Sequence, residues 1–146
     1  MLYTNVVALE GPDCSGKTTL YSGIHKKTNY KWNIRDRSFL STLCYARQYG
    51  RETSQPREGL LRELLNLNNR MVVIMPGKEV LLDRLQKRGD EFQDEKSIIE
   101  LHEIFEEEVE NIRKFPNVLV VPGAIDRNRL IHRVVSWLES FSCMSE

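Results

Sequence analysis

The chain has 146 residues, with 21 lysines and arginines against 21 aspartates and glutamates; 40% of its side chains are apolar and 29% charged. This length suits one folded domain, residues 1–146, and the composition is that of an ordinary globular protein. A disordered acidic or basic tail is excluded, and no window is apolar enough to span a bilayer. The N-terminal residues carry neither the basic region nor the apolar stretch of a signal peptide, so a cytoplasmic chain is expected. Cys14, Cys44 and Cys143 are odd in number and far apart, which fits a reducing compartment without disulfides or metal-type cysteine pairs. The neutral total conceals a segregation. Residues 1–90 hold 15 basic and 9 acidic side chains, net +6, while residues 91–146 hold 6 and 12, net −6. That split is either a random distribution of solvated charge or the trace of a basic face.

Val6-Val7-Ala8-Leu9, ended by Glu10-Gly11-Pro12, reads as a buried strand. Leu20 and Ile24 then predict a helix over 17–27. Tyr30 to Arg35 alternates, with Trp32 and Ile34 on one face, and predicts a second strand. Leu40, Leu43 and Cys44 predict a helix over 39–49, closed by Gly50. Pro56 opens another, with Leu60, Leu61, Leu64 and Leu65 as its apolar stripe. Met71 to Met75 is the clearest buried strand, and Pro76-Gly77 ends it. A helix over about 78–87 and a polar stretch follow. Ile98, His102, Phe105, Val109 and Ile112 recur along a long acidic helix. Val118 to Val121 is the last strand, and Leu130, Val134, Trp137, Leu138 and Phe141 make an amphipathic C-terminal helix. Apolar strands alternating with helices predict an α/β fold: a short parallel sheet of about four strands with helices on both faces, three layers in all.

Gly11-Pro12-Asp13-Cys14-Ser15-Gly16-Lys17-Thr18 matches G-x-x-x-x-G-K-[ST]. A chance match in a chain of this size is on the order of one in two hundred, and the required strand before and helix after are both expected here. Such a loop turns backbone N–H groups inward around phosphate oxygens, assisted by the positive end of the following helix. The loop through Gly11, Asp13, Cys14, Ser15, Gly16, Lys17, Thr18 and Thr19 is therefore the expected ATP cradle. Lys17 would reach the β- and γ-phosphates, and the Thr18 hydroxyl would ligate Mg²⁺.

Asp36-Arg37 falls just past the second strand, at the sheet edge where open α/β folds bind ligands. The Asp36 carboxylate could take a proton from an attacking hydroxyl, or orient the Mg²⁺ shell through water, and Arg37 could neutralise phosphoryl charge. An ion pair ending a strand is the plainer reading of both. Asp13 is a second candidate for the acceptor hydroxyl, with turn stabilisation the alternative. Arg84 and Arg88 share a helix face before a lid-like segment, 88–95, and could deliver charge to the transferred phosphoryl group; otherwise they are solvated helix charges. His25, His102 and His132 are dispersed and lack ligand spacing. Cys14 could be oxidation-sensitive by its position in the loop.

Glu10 to Thr19, including Asp13, resembles the phosphate loop of the thymidylate kinase family and of the related deoxynucleoside kinases. Asp36-Arg37-Ser38-Phe39-Leu40-Ser41, with Tyr45-Ala46 downstream, is similar to the family's Asp-Arg motif. Arg84 to Asp90 looks like its lid, and Val118 to Asp126 like the strand and loop that hold adenine. The resemblance implies a P-loop kinase using ATP and Mg²⁺, with Asp36 as general base, Asp13 second, and Lys17, Arg37, Arg84 and Arg88 stabilising phosphoryl charge. It has one large departure. Family members place a further strand and helices, which enclose the monophosphate, between the first helix and the Asp-Arg motif, and here about ten residues stand there. An opened acceptor side is similar to that expected of bacteriophage family members that phosphorylate 5-hydroxymethyl-deoxyuridine within DNA during thymine hypermodification, which would place the chain in a host cytoplasm. Residues 22–57 carry eight basic side chains (Lys26, Lys27, Lys31, Arg35, Arg37, Arg47, Arg51, Arg57) against Asp36 and Glu52. With Trp32, Tyr45 and Tyr49 as stacking surfaces they could form a polynucleotide groove, unless those aromatics are core. Three readings stand: transfer to such a base in DNA; a free dTMP or deoxynucleoside kinase that borrows its missing pocket walls from the partner in a homodimer; and an ATP-binding switch or adaptor without kinase activity.

Overall fold

The computed structural model describes residues 6–12, 16–88, 95–123 and 126–144, the side chains at 85, 88 and 141–144 excepted. In chain order the elements are β1 (Val6–Glu10), α1 (Lys17–Lys27), β2 (Asn33–Asp36), α2 (Phe39–Gln48), α3 (Ser54–Leu65), β3 (Asn69–Ile74), α4 (Lys78–Arg88), α5 (Glu95–Ile112), β4 (Val118–Val121) and α6 (Arg127–Met144). All strands are parallel, in the order β2-β1-β3-β4. The expected α/β architecture is the observed one.

The strands read as continuous apolar runs because both faces of the sheet are covered, and the two-residue pleat sends alternate side chains to different helices. Val7, Leu9, Val72, Ile74 and Val121 pack with Leu20 and Ile24 of α1 and with Leu130, Val134 and Leu138 of α6. Met71, Val73 and Val118 face the opposite layer, against Leu40 and Leu43 of α2, Leu60 and Leu64 of α3, and Phe105 of α5. Each fully buried leucine or isoleucine contributes roughly 1.5–3 kcal/mol relative to exposure. The layers therefore fix the carboxyl ends of β1 and β2 side by side.

Within α1, Gly23 lets α6 approach closely: a β-carbon there would stand 2.3 Å from Ile131 Cδ1 and 2.5 Å from its Cγ1. Alanine would favour the helix by up to about 1 kcal/mol, whereas overpacking a filled interface costs about 1–3 kcal/mol. The steric side should win. Gly23→Ala is expected to lower the urea midpoint, and to cost less when made in an Ile131→Ala background than in the parent; a Gly23→Ala variant as stable as the parent would refute the close packing.

The second strand starts later than its alternation suggests. Asn29 and Tyr30 have φ of 55° and 60°, a turn between α1 and β2. Trp32 is 2% exposed and belongs to the core under α1 and α6, so it is not a stacking surface. Two other members of the proposed basic groove are also withdrawn from it. Arg47 bonds Glu107 at 2.6 Å and Glu108 at 2.9 Å, and Arg57 bonds Glu108 at 3.2 Å, so both tie α2 and α3 to the acidic α5. Glu108 is buried, and neutralising it in place answers the cost of desolvating a carboxylate. Lys26, Lys27 and Lys31 lie at the amino edge of the sheet, across its width from the phosphate loop. Residues 22–57 therefore do not form one groove. No helix among the described residues is long and apolar enough to cross a membrane.

Candidate active site

β1 delivers the phosphate loop at the carboxyl edge of the sheet. Gly11 and Gly16 take φ of 140° and 100°, a left-handed backbone that side-chain-bearing residues avoid. This is the physical reason both ends of the loop are glycine. Gly16 occupies the N-cap of α1 without a side chain to offer the first-turn amides, so the positive end of that helix stays directed at the loop. Lys17 opens the helix and folds back, donating from Nζ to the carbonyls of Gly11 at 2.9 Å and Pro12 at 3.2 Å. Thr18 is exposed in the same turn and Thr19 half-buried. Asp13, Cys14 and Ser15 lie outside the described residues.

Beside the loop, Asp36 ends β2 in register with Leu9 and is exposed. β2 is an edge strand, so on its outer side no further strand walls Asp36 among the described residues. The backbone then turns sharply. Arg37 has φ of 70°, a left-handed conformation that costs a side-chain-bearing residue about 1–2 kcal/mol, and its N–H is held by the Leu9 carbonyl at 3.0 Å. The turn throws the guanidinium back over the loop. Nη1 lies 2.9 Å from Ser41 Oγ and 3.4 Å from the Gly11 carbonyl, and the guanidinium carbon lies 5.7 Å from the centre of the Tyr45 ring.

The residue that organises this corner is Glu10, which the sequence presented as the end of a strand and the start of the loop motif, without a role of its own. Its side chain is 0% exposed. Oε1 accepts the Ser38 N–H at 2.6 Å and Oε2 accepts the Ser41 hydroxyl at 2.7 Å. Ser41 thus relays charge, accepting from Arg37 and donating to Glu10. Burial pushes the Glu10 carboxyl up from 4.5 to about 7, only partly opposed by the Ser41 and Ser38 hydrogen bonds and the Arg37 charge. A charged residue closing an otherwise apolar strand was the signal in the sequence. Its partners Ser38 and Ser41, 28 and 31 positions away, belong to the Asp-Arg stretch, but nothing in the sequence paired them with Glu10.

From the other side, α4 brings Arg84 over the loop. Its Nη2 donates to the Gly123 carbonyl at 2.9 Å, and a β-carbon at Gly16 would lie 4.0 Å from its Nη1. Arg84 thus joins the phosphate loop to the segment after β4. Arg88 ends α4 with its side chain outside the described part, as are residues 89–94 of the lid-like segment. The structure therefore gathers Glu10, Gly11, Gly16, Lys17, Asp36, Arg37, Ser41, Tyr45 and Arg84 at one edge. His25, His102 and His132 are not part of it: His25 stacks among tyrosines, His102 Nε2 lies 2.7 Å from the Pro76 carbonyl, and His132 is exposed on α6. Cys44 is buried beneath the site, and burial raises its thiol pKa far enough to keep it neutral.

Among solved structures, the fold matches the YorR protein from Bacillus subtilis in complex with phosphorylated GDP, with a TM-score of 0.73 and 20% identity over 92% of this chain and 95% of that one. It also matches deoxyadenosine kinase from M. mycoides with bound dCTP (TM-score 0.66, 17% identity, 92% and 99% covered). A gluconokinase from Sinorhizobium meliloti aligns over 100% of both chains, with a TM-score of 0.56 and 13% identity. No protein-family model matches the sequence, and no curated sequence matches it. At these identities the likeness establishes the fold, which is that of P-loop kinases.

Proposed function

We propose that the chain is an ATP-dependent phosphotransferase that moves the γ-phosphoryl group directly to a thymidine-type deoxynucleotide. The observation that carries the reading is the convergence of Lys17, Arg37 and Arg84 on the loop between Gly11 and Gly16, with the Asp36 carboxylate beside them. Three cations around Gly11 and Gly16 suit a transfer whose catalysis is positioning and charge stabilisation. Asp36 is the preferred general base and Asp13 the second. No cluster of three His, Cys, Asp or Glu among the described residues could hold a metal alone. Mg²⁺ would be held by the Thr18 hydroxyl, with Asp36 acting through water, and would offset charge on the phosphates.

The edge position of β2 favours a large acceptor, and 5-hydroxymethyl-deoxyuridine in DNA is the one we favour. Its hydroxymethyl oxygen would bond phosphorus as the bond to the ADP leaving group breaks, the hydroxyl proton going to Asp36. A base inside a duplex would first have to leave the stack. Labelled ATP and Mg²⁺ should be offered with hydroxymethyluracil DNA, dTMP, thymidine, deoxyadenosine and gluconate in separate reactions. Label on the DNA, abolished by Asp36→Asn with ATP binding retained, is the expected result. Label confined to dTMP or a nucleoside would overturn the DNA acceptor in favour of a free-nucleotide kinase, with sedimentation then testing a homodimer. Tight ATP binding with no acceptor labelled would favour a switch or adaptor.

A further inference from the structure

Three aromatic rings stand in a row that starts in the middle of α1 and runs past its end, away from the phosphate loop. Tyr21 meets His25 edge-on with centroids 4.5 Å apart, and His25 stacks on Tyr30 at 5.0 Å with the planes 17° from parallel. The first contact follows from four-residue spacing on a helix. The second is made by the turn. Asn29 and Tyr30 are both left-handed; asparagine tolerates that conformation, whereas a tyrosine adopts it rarely. The turn is held by the Tyr30 N–H on the His25 carbonyl at 2.9 Å, the Lys31 N–H on the Thr28 carbonyl at 3.3 Å, and the Thr28 hydroxyl on the Ile24 carbonyl at 2.7 Å. This conformation does not bury Tyr30; the residue is 68% exposed, and Tyr21 is 42% exposed. Strain at an exposed aromatic is unrewarded by burial and points to a contact outside the chain.

The charge around the row has one sign. Lys26, Lys27 and Lys31 are all exposed, and no aspartate or glutamate occurs between Cys14 and Arg35. Among the described residues no carboxylate pairs with these three lysines. A basic surface with an outward aromatic face suits a polyanion whose units carry flat rings. In a duplex those rings are already stacked and paired, so only unpaired bases could lie on Tyr30.

We propose that Tyr21, His25 and Tyr30, with Lys26, Lys27 and Lys31, form a docking surface for single-stranded nucleic acid, bases stacking on Tyr30 and phosphates meeting the lysines. Tyr30 and the lysines lie at the far end of α1 from the phosphate loop, the helix rising about 15 Å between Lys17 and Lys27, and Tyr21 is the member of the row nearest the loop. The docking surface requires no assumption about the phosphoryl acceptor.

The test is fluorescence anisotropy with oligothymidylate blocked at its 5′ end by the dye, without ATP, so the readout is independent of phosphoryl transfer. The oligonucleotide should bind more tightly than a duplex of equal length, heparin or anionic phospholipid vesicles. Tyr30→Ala should weaken binding about tenfold, within the range for loss of one base–aromatic stack, and Tyr30→Phe should preserve it. Replacing all three lysines with alanine should reduce the slope of log affinity on log salt by about 2. Tyr30→Asn, which suits the left-handed turn, separates loss of the ring from disruption of the fold: it should bind as weakly as Tyr30→Ala while unfolding like the parent. Equal binding of heparin or vesicles, or unchanged affinity in both Tyr30→Ala and Tyr30→Asn, would overturn the proposal.

Discussion

Glu10→Ala is expected to lower stability by about 3 kcal/mol, and Glu10→Gln to change its pH dependence instead. The alanine variant strands several groups at once: the Ser38 N–H and the Ser41 hydroxyl lose their acceptor, and Arg37 loses the charge it reaches through Ser41. Glutamine resembles the protonated acid, able to accept from Ser38 and donate to Ser41. The parent's carboxyl is at about 7 in the folded chain against 4.5 as its ordinary value. Between those values the native state holds the proton more firmly than the unfolded state, so this group's contribution is complete below pH 4.5 and is lost as pH rises through 7. The full change corresponds to about 3 kcal/mol. Urea unfolding at intervals across this range should show the parent losing stability relative to Glu10→Gln as pH increases. A constant difference between them, or a parent that gains on the variant, would contradict the desolvated carboxyl at this corner. Ionisation also strengthens the pull on Ser38 and Ser41, so the same titration should tighten the turn at Arg37.

Much of the fold was legible because its strands are short apolar runs punctuated by glycine and proline, and its helices carry stripes at helical spacing. The phosphate loop was legible for a different reason: its chemistry is local, and eight consecutive residues carry it. What could not be read was pairing across distance. Nothing around Arg47 or Arg57 shows that they close on Glu107 and Glu108, so both looked available to a polyanion. Trp32 alternates with Ile34 as an edge-strand aromatic would, but the covering helices α1 and α6 turn it into core. Glu10 shows the same limit from the other direction. An acid at a strand end is usually solvated, and only the approach of α2 buries it. The left-handed turns at Asn29-Tyr30 and at Arg37 had no glycine to announce them, and they shape the aromatic row and the aim of the guanidinium. Local motifs therefore supplied the loop and Asp36-Arg37 as candidates, while the contacts that hold Arg37 and Glu10 required three-dimensional juxtaposition.

Lys17→Met is expected to reduce phosphoryl transfer on the order of 10²–10³-fold while leaving the chain folded. The ammonium group is tethered to two neutral carbonyls of its own loop, Gly11 and Pro12. The bonds to these carbonyls have charge on the donor alone, whereas a phosphate oxygen adds the attraction of an opposite charge. An arriving nucleotide should therefore draw Lys17 off those carbonyls, and the site exchanges a weaker contact for a stronger one. Methionine keeps the length of the side chain and its apolar packing but supplies neither contact, so the stability loss should stay within about 2 kcal/mol. Lys17→Arg should not restore the rate, because a planar fork does not replace a compact ammonium group inside a tight loop. The kinetic partition separates roles. If Lys17 acts mainly on the transferring phosphoryl group, kcat falls with little change in KM for ATP; if it only anchors the nucleotide, KM rises and kcat is kept. Arg84, which overhangs Gly16 from α4, gives the internal comparison. Arg84→Ala should also lower kcat, and the double variant should lose less than the product of the single losses, because groups sharing one developing charge are not independent. A Lys17→Met protein that transfers phosphate at the parent's rate would refute the loop as the donor site, whatever the acceptor proves to be.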